Sequence, residues 1–149
     1  MKILVISQEL WTNKNNGGNV LSNLFEGFDA EFAQIFCSPG VPENSVCKKY
    51  YQMTDIMMIQ NLQKRALVGK TLTFQKYPVN KVFDLKVQSN ENKFYSFFRK
   101  NHWFIFDLVR ELIWKLAKWD NNNLDQFIKE FKPDIIFAPS YASHYMLHI

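Results

Sequence analysis

Paired glycines close a polar stretch near the amino terminus, Trp11-Thr12-Asn13-Lys14-Asn15-Asn16-Gly17-Gly18-Asn19. Adjacent glycines let backbone N–H groups approach an anion closely, and a helix that starts there adds partial positive charge suited to phosphate. Lys14 would add a full charge. The competing reading is a flexible turn that caps a helix. Towards the other end of the chain, Ser140, Tyr141, Ser143 and His144 bring polar and titratable side chains together. His144 is the candidate base or hydrogen-bond donor to a hydroxyl, although a lone histidine on a helix is more often structural.

Other chemistries lack their residues. The dinucleotide fingerprint G-x-G-x-x-G is missing, because Gly17 and Gly18 are adjacent and no third glycine follows at the right distance. Gly69-Lys70-Thr71 has the ending of a P-loop, but Lys64 stands where the upstream glycine belongs. Cys37 and Cys47 are the only cysteines and belong to no CxxC or Cys-His pattern, so no metal site is expected and a reducing cytosol is the simple reading. No Ser/His/Asp or Cys/His arrangement is visible, and no carboxylate pair is placed together by spacing.

The glycine turn and the Ser140–His144 cluster need a scaffold that sets both at one edge. Ile3-Leu4-Val5-Ile6 is an uninterrupted β-branched run, the pattern of a central strand buried on both faces. The loop Gln8 to Gly18 follows, and then Val20, Leu21, Leu24, Phe25 and Phe28 recur at helical spacing. Phe32, Ile35 and Phe36 mark a second strand ending near Cys37, with Ser38-Pro39-Gly40 and Pro42 as its exit loop. The stretch Tyr50 to Leu67 reads as a helix. Signals are mixed from Val68 to Asn92, where Val79, Phe83, Leu85 and Val87 suggest a short strand.

A longer helix is expected to open at Asn101 or His102, with Trp103 in its first turn. Its stripe of Ile105, Leu108, Val109, Leu112, Ile113 and Leu116 should pack against a sheet or another helix. Asn122 or Asn123 would cap a shorter helix carrying Leu124, Phe127, Ile128 and Phe131, which Pro133 stops. Asp134 reads as a turn or cap residue opening a buried strand through Ala138. Pro139 and Ser140 end that strand, Ser140 caps a new helix, and the domain is expected to continue past Ile149. Alternating elements of this kind predict an α/β fold, a Rossmann-like three-layer α/β/α arrangement around a mostly parallel sheet. Such sheets bind ligands at the carboxyl ends of their strands, where the glycine turn and residues 140–144 would share a cleft.

Bulk properties narrow the class. Across 149 residues, 47% hydrophobic and 21% charged content fits one ordinary globular domain and not a disordered chain. The net charge of +4 arises from 18 basic and 14 acidic residues interspersed without a basic block, so nucleic acid is not an expected partner. A mildly basic face would suit an anionic membrane surface. The opening residues lack a signal peptide's length and cleavage site, and the apolar stretch Trp103 to Trp119 carries Asp107, Arg110, Glu111, Lys115 and Lys118, too many charges for a spanning helix. Aromatic residues make up 16% of the chain, and those from Phe94 to Trp103 would suit a protein-interaction module without a ligand.

The opening K-I-L-V-I-S-Q followed by Gly17-Gly18 resembles the start of bacterial GT-B glycosyltransferases, family 4-like, of the surface or capsular polysaccharide type. The likeness extends through Cys37-Ser38-Pro39-Gly40 to Tyr50-Tyr51-Gln52, Val68-Gly69-Lys70, Leu112-Ile113-Trp114-Lys115 and Phe131-Lys132-Pro133-Asp134-Ile135-Ile136. The resemblance implies that residues 1–149 are the acceptor-side Rossmann-like domain, truncated before a carboxyl-terminal donor-binding domain that acts in cis. It implies transfer of a sugar from a nucleotide-sugar to a glycan or lipid-linked acceptor, in the cytoplasm or peripherally at the inner face of the membrane. Gly17 and Gly18 would reach the donor diphosphate, with Lys14 beside them. Some related sequences carry K-x-G-G, whereas two residues separate Lys14 from Gly17 here. Ser140, Tyr141 and Ser143 would line the acceptor cleft. No cofactor is expected in residues 1–149, and these residues alone should be inactive. A small stand-alone flavodoxin-like module binding a nucleotide or phosphate is the alternative.

Overall fold

The computed structural model describes residues 1–12, 16–42, 44–74 and 104–139. Its elements are β1 (Lys2–Ser7), α1 (Asn16–Leu24), β2 (Glu31–Phe36), β3 (Cys47–Gln52), α2 (Asp55–Lys64), β4 (Lys70–Thr73), α3 (Phe104–Leu116), α4 (Asn122–Phe131) and β5 (Ile135–Phe137). They build a five-stranded sheet in the order β4-β3-β2-β1-β5. Only β4 runs antiparallel to its neighbour, so the sheet is mostly parallel with flanking helices.

The period of two in β1 divides the core. Ile3 and Val5 pack with Leu21 of α1 and Phe25 just beyond it, while Leu4 and Ile6 pack with Met58, Trp114, Leu124, Phe127 and Phe131 from α2, α3 and α4. Because β1 is covered on both faces and paired on both edges, it is the interior strand that its unbroken apolar run predicts. Asp134 fastens the start of β5 to the start of β1. Its carboxylate accepts from the Lys2 backbone N–H at 2.7 Å, and its own N–H donates to the Lys2 carbonyl at 2.9 Å.

The helix expected over Tyr50–Leu67 is two elements. Tyr50, Tyr51 and Gln52 pair in parallel register with Gln34, Ile35 and Phe36. Both tyrosines are fully buried, Tyr50 on the α1 face and Tyr51 on the opposite one, which is strand alternation and fits no helical stripe. The helix begins only at Asp55, where the Thr54 hydroxyl accepts the Met57 N–H, and it ends on Arg65 in the left-handed conformation. Asn121 and not Asn122 or Asn123 caps α4, its side-chain oxygen accepting the N–H groups of Asn123 and Leu124. Gly69 also has a structural role: at φ +87 it enters β4, and a Cβ there would collide with the Tyr51 ring and hydroxyl.

Two expected burials are reversed. Helix α3 turns Trp114 into the core, with Ala117 just past its end, and leaves Leu108, Val109, Leu112 and Leu116 exposed. The rotation is set by the indole, which buries more area than a leucine and finds a buried acceptor in Asp55. Strand β5 was expected to be buried, yet Ile135 and Ile136 are exposed; β5 pairs only with β1 among the described residues. The suggested strand at Val79–Val87, the helix opening at Asn101–Trp103 and the helix after Pro139 lie outside the described residues.

Candidate functional site

The chain places β2 and then β3 on one side of β1, and β5 on the other. The strand order therefore reverses between β1 and β5, and the carboxyl ends flanking that point are where open parallel sheets form a ligand crevice. Helix α1 starts at the same edge, with Gly17 and Gly18 in its first turn. The amino end of α1 thus presents backbone N–H groups and the positive end of its dipole next to the reversal point.

A buried polar network fixes the strand-to-helix connection. Gln34 stands at the centre of β2, fully buried on the α1 face between Phe32 and Phe36. Its side-chain oxygen accepts the Trp11 backbone N–H at 2.9 Å, and its amide donates to Ser7 Oγ at 2.6 Å and to the Glu9 carbonyl at 2.9 Å. The Ser7 hydroxyl in turn donates to the Glu9 carbonyl at 2.8 Å. Trp11 is fully buried against Phe25 and Phe32, and its indole N–H donates to Ser22 Oγ on α1 at 2.9 Å. One side chain thus ties the end of β1 to its own loop, and the loop's tryptophan ties it to α1.

The next connection is held against the first. The Gln52 amide donates to the Ser38 and Gly40 carbonyls, while Ser38 Oγ accepts the Leu10 N–H at 3.3 Å. Tyr50 OH donates to the Asn44 carbonyl, and Asn44 Nδ2 donates to Ser22 Oγ. The carboxyl edge on the α1 face is therefore a set of cross-linked loops. Neither Gln34 nor Trp11 was singled out from sequence. The available signal was a lone amide inside the apolar run Phe32-Ala33-Gln34-Ile35-Phe36, since a buried amide must have partners.

On the other face, Asp55 in the first turn of α2 accepts the Trp114 indole N–H at 2.6 Å and the Arg110 Nε at 3.1 Å. This cluster joins α2 to α3 and is built as a clamp. Cys37 lies near it. Burial raises that thiol's pKa, the Asp55 charge adds to the rise, and Arg110 opposes it. Burial likewise pushes the Cys47 thiol up to about 12. Neither cysteine forms a disulfide, and burial favours the neutral thiol at both, which disfavours attack or metal ligation at neutral pH.

Gly17 and Gly18 are the sequence-derived site residues that fall in a described element. Lys14, Ser140, Tyr141, Ser143 and His144 lie outside the described residues. Among the described residues no group of three His, Cys, Asp or Glu side chains gathers to hold a metal, and no helix is long and apolar enough to cross a membrane. A hollow lined by Asn122, Asp125, Gln126, Lys129 and Glu130 sits on α4, where Gln126 pairs with Glu130 and Lys129 with Asp125, as on a solvated helix face. No family model, no curated protein and no solved structure matches this chain.

Proposed function

We propose that the chain is the acceptor-side, Rossmann-like domain of a GT-B glycosyltransferase that moves a sugar from a nucleotide-sugar to a glycan or lipid-linked acceptor in polysaccharide synthesis. The carrying observation is the glycine pair in the first turn of α1, set at the carboxyl edge of β1 beside the point where strand order reverses. The parallel strands run β3-β2-β1-β5, which supports a Rossmann-type half over the 2-1-3 order of a flavodoxin-like module.

In this reading the acceptor hydroxyl attacks the anomeric carbon, the bond from that carbon to the diphosphate breaks, and the acceptor proton passes to a base, for which His144 is the candidate. The amino end of α1 stabilises negative charge as the diphosphate departs. A carboxyl-terminal domain in cis would hold the nucleotide, and the acceptor would meet the enzyme in the cytoplasm or at the inner membrane face.

The product of the complete reading frame should therefore consume at least one of UDP-, GDP- or dTDP-sugars. No activity with any of them, in a protein lacking a donor-binding domain, overturns the proposal. In the active protein, Gly17→Val should lower kcat on the order of tenfold, since the N–H groups remain and only close approach is lost. Unchanged turnover would reduce the glycine pair to a turn.

A further inference from the structure

Two chain connections meet at the carboxyl edge of the sheet on the α1 face, residues 8–12 after β1 and residues 37–42 and 44–46 between β2 and β3. Their bases are joined through the backbone, the Cys37 N–H donating to the Gln8 carbonyl at 3.2 Å. Past that bond, side chains make the links. The Leu10 N–H donates to Ser38 Oγ at 3.3 Å, and Gly40 lies so close to Leu10 that a Cβ on the glycine would come within 2.9 Å of a leucine Cδ.

Both connections also reach one atom of α1. Ser22 Oγ accepts the Trp11 indole N–H at 2.9 Å from the first and the Asn44 amide at 3.2 Å from the second. A hydroxyl oxygen has two lone pairs, so these donors fill its accepting capacity. Each donor belongs to a buried residue that organises its own connection. The Trp11 backbone N–H is held by Gln34, whereas Asn44 Oδ1 accepts the Val46 N–H at 2.7 Å and the Asn44 carbonyl accepts from Tyr50 OH.

We propose that Ser22 is a positioning residue that makes the two connections one cooperative unit, which opens as a whole at lower free energy than the sheet beneath it. Withdrawal of Asn44 admits water to the Ser22 hydroxyl, and that water competes with the Trp11 indole for the same oxygen. Loss of the Trp11 bond exposes the hydroxyl to water from the other side in the same way. Leu10, gripped by Ser38 and Gly40, adds a second link. Because open parallel sheets bind ligands at this edge, a ligand that engages either connection in its folded form stabilises both. The coupling does not depend on the enzymatic reading.

Native-state hydrogen exchange at the Leu10, Trp11 and Val46 amides tests this in the whole chain. The three should share one opening free energy, below that of amides in β1 and β2. Ser22→Ala should speed exchange at all three by roughly tenfold, since two buried donors lose their acceptor while alanine keeps the helix favourable. Asn44→Ala should speed exchange at Trp11 by roughly fivefold although neither partner of that amide hydrogen bond has changed. Added to Ser22→Ala, the same substitution should do little more at Trp11. Three results each overturn the proposal: different opening free energies for Trp11 and Val46 in the unaltered protein, equal acceleration in β1 and β2, or a full effect of Asn44→Ala at Trp11 when Ser22 is already alanine.

Discussion

Asp55→Ala is expected to lower the unfolding free energy by about 3 kcal/mol, the lower end of the range for breaking a buried ion pair, because part of the Arg110 side chain meets solvent. Asp55 is nearly buried, and its carboxylate serves two donors, the Trp114 indole N–H and the Arg110 guanidinium. Removing it takes an acceptor from the Trp114 indole in the core and a counter-charge from the Arg110 guanidinium. The substitution also takes a negative charge from the first turn of α2, where it interacts favourably with the helix dipole.

Urea unfolding followed by tryptophan fluorescence measures the effect as a shift in midpoint at constant slope. Asp55→Asn should fall between wild type and Asp55→Ala, since an amide oxygen still accepts from Trp114 but brings no charge to Arg110. A loss below about 1 kcal/mol for Asp55→Ala would mean that water replaces the carboxylate and that the clamp does not orient α3. The thiol of Cys37 gives a second readout. It is fully buried and reachable only on opening, so its alkylation in Asp55→Ala should accelerate in step with the loss of stability.

The same clamp explains where sequence patterning succeeded and where it did not. Strands β1 and β2 were legible because Ile3–Ile6 and Phe32–Phe36 are short apolar runs bounded by turns, and both lie inside the sheet. The order strand, loop, helix followed from the same run, although α1 begins at Asn16 and takes in the glycines expected in the loop, and Val20, Leu24 and Phe28 of the expected stripe are exposed. In α3 the periodicity located a helix but selected the wrong face. Leu108, Leu112 and Leu116 form the cleaner stripe, whereas Trp114 and Arg110 have a specific partner 55 or more residues away in Asp55. A one-dimensional pattern cannot register that pairing.

Strand β3 was hidden for a related reason. Tyr50 and Tyr51 are adjacent apolar residues, which fit a helical window as readily as a strand buried on both faces. Tertiary pairing with β2 decided the matter. For the candidate site, the sequence supplied the residues that would face a ligand but not the support beneath them. That support consists of long-range bonds from Gln34, Gln52 and Trp11.

Gln34→Leu is the direct test of that support. The leucine is close in size, so packing between Phe32 and Phe36 is largely kept and the change falls on polar partners. Ser7 and the Glu9 carbonyl keep their mutual hydrogen bond, whereas the buried Trp11 N–H loses its acceptor. An orphaned buried donor, together with the loss of two bonds from the amide, should cost about 2–3 kcal/mol. Gln34→Glu retains an acceptor for Trp11 but turns a second oxygen towards Ser7 Oγ and the Glu9 carbonyl, and it buries a charge, so it should be no more stable than the leucine variant. Hydrogen exchange at Trp11 separates a local role from a global one. If Gln34 holds the connection to α1, protection at that amide should fall by more than the global destabilisation requires, while amides in β3 lose only the global share. A uniform loss across the sheet would make Gln34 an ordinary core residue, and the glycine turn would owe its position to Trp11 packing against Phe25 and Phe32 alone.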